Sequence, residues 1–154
     1  MLDIHIGTAY PGNVLSNLAH NAFVFDDIRC GGMEGLLQSL KFQDVNKQIQ
    51  IAAMSGTAAK FRGAKKKWYN GQTLYWKGVP FSRHTDAYQN LLDNAYDEMF
   101  VQNESFRKAL TDSKNTVLCH SIGHTDPFRT ILTVEEFLCR LNRLRSLLLV
   151  AVKG

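Results

Sequence analysis

The 154-residue chain has only three prolines, at positions 11, 80 and 127. It has no internal repeat, low-complexity tract or linker. Nothing divides it, and residues 1–154 read as one domain. Cysteines are as scarce. Cys30, Cys119 and Cys139 are odd in number, far apart and never in a CxxC spacing. That excludes a disulfide framework and a zinc knuckle, and it suits a reducing, cytoplasmic setting. The longest apolar run, Leu147 to Val152, falls far short of the roughly 18 residues of a membrane span. The start, Met1-Leu2-Asp3-Ile4-His5, lacks the basic and apolar regions of a signal peptide. No membrane partner is expected. A net charge of +4 permits an anionic partner without demonstrating one.

What is present is an ordinary globular composition, 45% hydrophobic and 21% charged, too apolar for a disordered chain. The pattern is mainly α with a few short strands, an α+β class in one compact unit. Asn21 to Phe25 alternates like a strand and closes on the turn formers Asp26-Asp27. Gly31-Gly32 breaks the chain before a helix from Met33 to Phe42. Asn46 to Met54 and Ser105 to Leu110 read as short helices. Asp86 to Val101 carries the helical stripe Tyr88, Leu91, Leu92, Ala95, Tyr96, Met99, Phe100. Thr133-Val-Glu-Glu136 is a capping box. It opens a helix striped by Phe137, Leu141, Leu144 and Leu148, with Arg140, Arg143 and Arg145 off the stripe. Thr116 to His120 reads as a buried strand, and Asn70 to Ser82 as a loop or irregular hairpin.

Three groups could carry chemistry. Glu34, Gln38 and Lys41 fall within about 60° of each other on one helix face. A carboxylate, an amide and an amine therefore stand together just after two glycines, which let backbone approach a ligand closely. The alternative is a solvated face with i, i+4 pairing. Lys60, Arg62, Lys65, Lys66 and Lys67, followed by Trp68 and Tyr69, suit phosphates and stacked bases, or else form an exposed polar loop. His120-Ser-Ile-Gly-His124-Thr-Asp126 offers acid–base or metal-binding groups. No further ligand has a recognisable spacing, so no metal site is expected. Cys119 reads as structural, because neighbours on a strand point to opposite faces. The sequon Asn103-Glu-Ser105 carries no meaning without a secretory signal.

Taken in order, Leu15-Ser-Asn17-Leu18, Ala22-Phe-Val-Phe-Asp26, Met33-Glu34 and Gln38-Ser-Leu-Lys41-Phe42 resemble the motifs of the NADAR, or YbiA-like, family. Ala58-Ala-Lys60-Phe-Arg-Gly63, Phe100-Val-Gln-Asn103 with Phe106 to Leu110, and Leu132 to Phe137 with Leu141 to Arg145 are similar to its later elements. The likeness is to phage-type members and runs from about Gly7 to Leu148. Two positions depart from the pattern. Gly35 stands where the family has His, and Pro127-Phe-Arg-Thr130 stands where it has WG-x-G.

The resemblance implies a compact, mainly α fold and cleavage of N-glycosidic bonds at ribose C1. The implied substrates are ADP-ribosylated guanine in nucleic acid or ribosyl-nucleotide small molecules of the riboflavin pathway. A degenerate module that binds ADP-ribose or nucleic acid without turnover is the remaining reading. Residue by residue, it implies Glu34, Lys41 and Asp126 as catalytic groups and Asn17, Gln38, Lys60, Gly63 and Trp76 as substrate contacts. Glu34 would face the oxocarbenium charge that builds when the C1–N bond breaks. Lys41 could attack C1 and hold the opened sugar as a Schiff base. Trp76 or Tyr75 would stack on a base. This scheme calls for no cofactor.

Overall fold

The structure, a computed structural model, describes the backbone of residues 1–153 and side chains through Val150. The last side chains of the Leu147–Val152 run lie outside the described residues. The helices are α1 (Gly12–Leu15), α2 (Met33–Ser39), α3 (Val45–Ala52), α4 (Gly56–Ala64), α5 (Asp86–Gln102), α6 (Glu104–Asp112) and α7 (Val134–Lys153). Three two-stranded pairs accompany them. Strand β1 (Leu2–Asp3) runs parallel to β6 (Leu118–Cys119). Strands β2 (Phe23–Phe25) and β3 (Ile28–Cys30) form one antiparallel hairpin. Strands β4 (Thr73–Trp76) and β5 (Val79–Ser82) form another. The class is α+β and mainly α, as the apolar periodicity predicts. Among the described residues no helix is long and apolar enough to cross a membrane.

Helix α2 sits at the centre because its apolar positions surround it. Met33, Leu36, Leu37 and Leu40 are all buried, each worth roughly 1.5–3 kcal/mol for leaving water. The adjoining glycines serve this packing. A Cβ on Gly31 would lie 2.5 Å from the carbonyl oxygens of Ala53 and Met54, and one on Gly35 would lie 2.1 Å from that of Met54. Backbone of α3's end, rather than a ligand, occupies the space the glycines leave. That contact leaves no room for a side chain at residue 35.

The hairpins are more regular than the sequence suggests. Asp26 and Asp27 hold φ at 49° and 67°, the left-handed pair that a two-residue hairpin turn requires. Lys77 and Gly78, at 51° and 83°, do the same between β4 and β5. Asn70 to Ser82, read as a loop or irregular hairpin, is a hairpin, and it follows a 3-10 turn at Trp68–Asn70. Strand β1 escapes a periodicity reading because it is two residues long and pairs across the whole chain.

Helix α5 buries Tyr88, Leu92, Ala95, Tyr96 and Met99, and α7 buries Phe137, Leu141 and Leu144. The capping box forms with both bonds. The Glu136 amide donates to Thr133 Oγ1 at 3.1 Å, and the Thr133 amide donates to Glu136 Oε1 at 2.9 Å. Arg140 lies off the apolar stripe yet is buried, because it donates to Gln89 Oε1 at 2.8 Å and to the Glu136 carbonyl at 3.0 Å.

The segment between β6 and α7 has almost no regular structure but is pinned along its length. The Ser121 amide donates to Asp3 Oδ1 at 2.9 Å. Gln72 Nε2 donates to the Phe128 carbonyl at 2.8 Å. Tyr88 Oη donates to the Ile131 carbonyl. Arg83, 1% exposed, donates to the Thr130 carbonyl and grips Glu136 with two bonds of 3.0 and 2.6 Å. This segment becomes a wall of the site below.

Candidate functional site

A cavity of about 320 Å³ opens between α2, α4 and the 120–133 segment. Glu34, Leu37, Gln38 and Lys41 form one side. Asn17, Lys60 and Trp68 come from the preceding loop, α4 and the 3-10 turn. His120, His124, Arg129, Thr130 and Phe137 form the opposite wall. Helix α2 ends at Ser39, before Lys41. Its last bonds tighten, with the Lys41 amide donating to the Gln38 carbonyl at 3.2 Å. That extra turn keeps Lys41 on the face of Glu34 and Gln38.

Neighbouring elements hold this face in place. The Glu34 amide donates to the Asn17 carbonyl at 3.1 Å. Asn17 Oδ1 in turn accepts from Tyr96 Oη at 2.7 Å. Buried Gln48 donates to the carbonyls of Ser39 and Tyr75 at 3.0 and 2.8 Å, tying α2's end to α3 and β4. Gln38 Nε2 donates to Glu34 Oε1 at 2.7 Å. Among the described residues Glu34 forms no ion pair. Burial pushes its carboxyl above the ordinary value, against the Gln38 hydrogen bond and then the charges of Lys60 and Lys41. Burial likewise pushes the Lys41 amine below its ordinary value, against the charge of Glu34. A carboxylate and an amine, both poorly hydrated and both unneutralised by close pairing, thus share one cavity. That environment is typical of groups set for chemistry.

Of the residues singled out in the sequence, Asn17, Glu34, Gln38, Lys41 and Lys60 meet at this cavity. Gly63 lies behind Gln38. A Cβ there would fall 1.7 Å from Gln38 Oε1 and 2.9 Å from its Cβ. The Gly63 carbonyl accepts from Lys41 Nζ at 3.4 Å. Gly63→Ala is expected to displace the Gln38 amide from Glu34. With that bond lost, the Glu34 carboxyl should titrate still higher, which carbon NMR of the labelled side chain would record. An unmoved titration would mean that Gln38 does not tune Glu34.

Two residues stand elsewhere. Trp76 packs on Phe25 and donates from Nε1 to Asp26 Oδ2 at 2.8 Å. It lines a separate, wide groove beside the β2–β3 turn and α5. Asp126 is exposed and caps its own turn, accepting from the Phe128 amide at 2.9 Å. Neither lines the cavity, because the hairpin turns Trp76 outward and the Asx turn holds Asp126 at the segment's tip. Trp68, rather than Trp76, is the tryptophan that lines the cavity. His120 and Arg129 also reach it. The strand-to-loop position signals the histidine, whereas nothing in the local sequence signals the arginine. Among the described residues no three His, Cys, Asp or Glu side chains gather as metal ligands would.

The fold places this chain in a known class. It superposes on the NMR structure of the E. coli protein YbiA with a TM-score of 0.62, covering 100% of this chain and 90% of that one at 17% sequence identity. It shares the α+β fold of YbiA. The sequence matches the family described as Bacteriophage protein GP30.3 over residues 9–146, and the chain belongs to that family. It is 45% identical over 148 residues to an uncharacterized 17.1 kDa protein of the Gp30-rIII intergenic region of Enterobacteria phage T4. That alignment covers 94% of this chain and 97% of the T4 protein.

Proposed function

We propose that the protein is an N-glycosidase that cleaves a ribose C1–N bond, removing ADP-ribosyl groups from guanine bases of nucleic acid. The observation that carries this reading is the Glu34–Gln38–Lys41 face at the cavity. As the C1–N bond breaks, the sugar gains oxocarbenium character. A carboxylate held in a poorly hydrated site stabilises that charge better than water does. Gln38 fixes one carboxylate oxygen and leaves the other for the substrate. Lys41, with its amine made more available by burial, is placed to attack C1 and form a Schiff base after ring opening. Trp68, largely buried, lines the cavity where a base could pack. Incubating the protein with DNA carrying ADP-ribosylguanine, and identifying the products, tests the reading. Free ADP-ribose and unmodified guanine are expected. Borohydride added during turnover should leave a sugar mass on the peptide containing Lys41.

A polymeric substrate is favoured over a small ribosyl nucleotide by where the cations stand. Lys60 is at the cavity, but exposed Lys65, Lys66 and Lys67 continue beyond it. Lysine is a flexible point charge that positions phosphates without reading bases. Replacing Lys65, Lys66 and Lys67 by Ala is therefore expected to raise KM for modified DNA and to flatten its salt dependence, leaving kcat near wild type. An unchanged KM at every salt concentration would favour the riboflavin-pathway intermediates as substrates.

A further inference from the structure

We propose that His120 is the acid–base residue of this site: its Nε2 takes a proton from the water that ends on ribose C1. This inference rests on the N-glycosidase reading above. His120 lines the same cavity as Glu34 and Lys41, and three contacts fix its ring. Its Nδ1 lies 2.7 Å from the Ile4 carbonyl. A carbonyl only accepts, so Nδ1 carries the proton and Nε2 of the neutral ring carries a lone pair. The Ile4 carbonyl is itself placed by the β1–β6 pairing, where the Ile4 amide donates to the Cys119 carbonyl at 2.8 Å. The ring meets Phe137 edge-on with centroids 5.2 Å apart. Gly123 clears room for its other edge, since a Cβ there would lie 2.5 Å from His120 Cδ2 and 3.1 Å from Nε2. Two short strands, a glycine and a buried phenylalanine thus orient one basic nitrogen of a side chain that lines the cavity.

The step balances without another reactant. The water oxygen bonds to C1 while one water proton passes to Nε2. In direct hydrolysis the electron pair of the cleaved C1–N bond stays with the base nitrogen. In release of an imine, water adds across C=N with the π pair going to the Lys41 nitrogen, and the carbinolamine hydroxyl then gives its remaining proton to Nε2 as C=O forms and C1–N breaks. The imidazolium returns its proton to that nitrogen and is neutral again. General acid–base groups contribute about 10²–10⁴-fold. The charged and titratable groups around the ring are Asp3 on β1, His124 and Arg129 on its own segment, and Glu34, Lys41 and Lys60 across the cavity. Thr133, just before α7, and Phe137 on it add only uncharged side chains to the cavity.

The test is nitrogen NMR of histidine-labelled full-length protein titrated with ADP-ribose, with carbon labels on Glu34 and Lys41, beside kinetics of His120→Gln on ADP-ribosylguanine DNA. Glutamine can still donate to the Ile4 carbonyl but cannot act as a base. The expected results are an Nδ1–H ring whose Nε2 signal moves with ADP-ribose, and a variant with wild-type Tm and KM. Its kcat should fall by about 100-fold or more. Movement of Glu34 and Lys41 signals with a still Nε2 would overturn the proposal alone, as would a variant that keeps wild-type kcat. No movement at any of the three would reject the ribosyl reading, and this proposal with it. If His120→Gln does not fold, the wild-type ring signal decides.

Discussion

Glu34→Gln is expected to lower kcat on ADP-ribosylguanine DNA by about 10²–10³-fold while leaving KM nearly unchanged. Glutamine keeps the shape and can still bond with Gln38, so binding of the ground state survives. What disappears is the negative charge facing C1, and one well-placed electrostatic stabiliser is worth about that much in kcat. The same substitution should raise stability at neutral pH. Burial, the largest influence on Glu34, raises its carboxyl above the unfolded value. An acid shifted upward destabilises the fold above its folded titration, where it must stay ionised. That cost vanishes as pH falls below the unfolded value. The advantage of Glu34→Gln in urea unfolding should therefore be greatest near pH 7 and disappear in acid. Equal stability at all pH values would mean that the carboxylate is better hydrated than the cavity geometry implies.

The second large effect concerns the wall opposite Glu34. Arg83→Met is expected to cost about 3–5 kcal/mol, because removing one partner of a buried ion pair leaves the other uncompensated. Arg83 joins β5's end to α7 through Glu136, holds the Thr130 carbonyl, and lies over the Tyr88 ring at 4.7 Å. Glu136 would retain the Thr133 amide and Gln89 but would keep a buried charge. Its carboxyl, now held low chiefly by the Arg83 hydrogen bonds against burial, should rise. Arg83→Met combined with Glu136→Gln should recover part of the loss, since both charges then leave. Urea unfolding of the two variants checks this. A single variant as stable as wild type would show that the pair contributes nothing net.

Much of this architecture can be read from the chain. The stripes of α5 and α7 and the capping box at Thr133 follow from spacing, because those helices bury one face and expose the other. Glu34, Gln38 and Lys41 are legible for the same reason. What escapes is whatever depends on contacts distant in sequence. Nothing in the local sequence marks Arg83, and only the return of α7 supplies Glu136. Gly31 and Gly32 look like room for a ligand, yet the backbone at Ala53, Met54 and Ala19 lies against them. Trp76 matches a motif, but hairpin twist and Asp26 turn it into another groove, and Trp68 stands at the cavity instead. His120 is visible as a histidine after a strand. Its fixed tautomer depends on Ile4, more than a hundred residues earlier.

The most direct measurement is product analysis of wild type and Glu34→Gln incubated side by side with DNA carrying ADP-ribosylguanine and with riboflavin-pathway intermediates. The account predicts free ADP-ribose and restored guanine from wild type, with the rate reduced by about 10²–10³ in the variant. Release of ADP-ribose at the same rate by both proteins would contradict the assignment of Glu34, and no C1–N cleavage of any of these substrates by wild type would contradict the N-glycosidase reading itself.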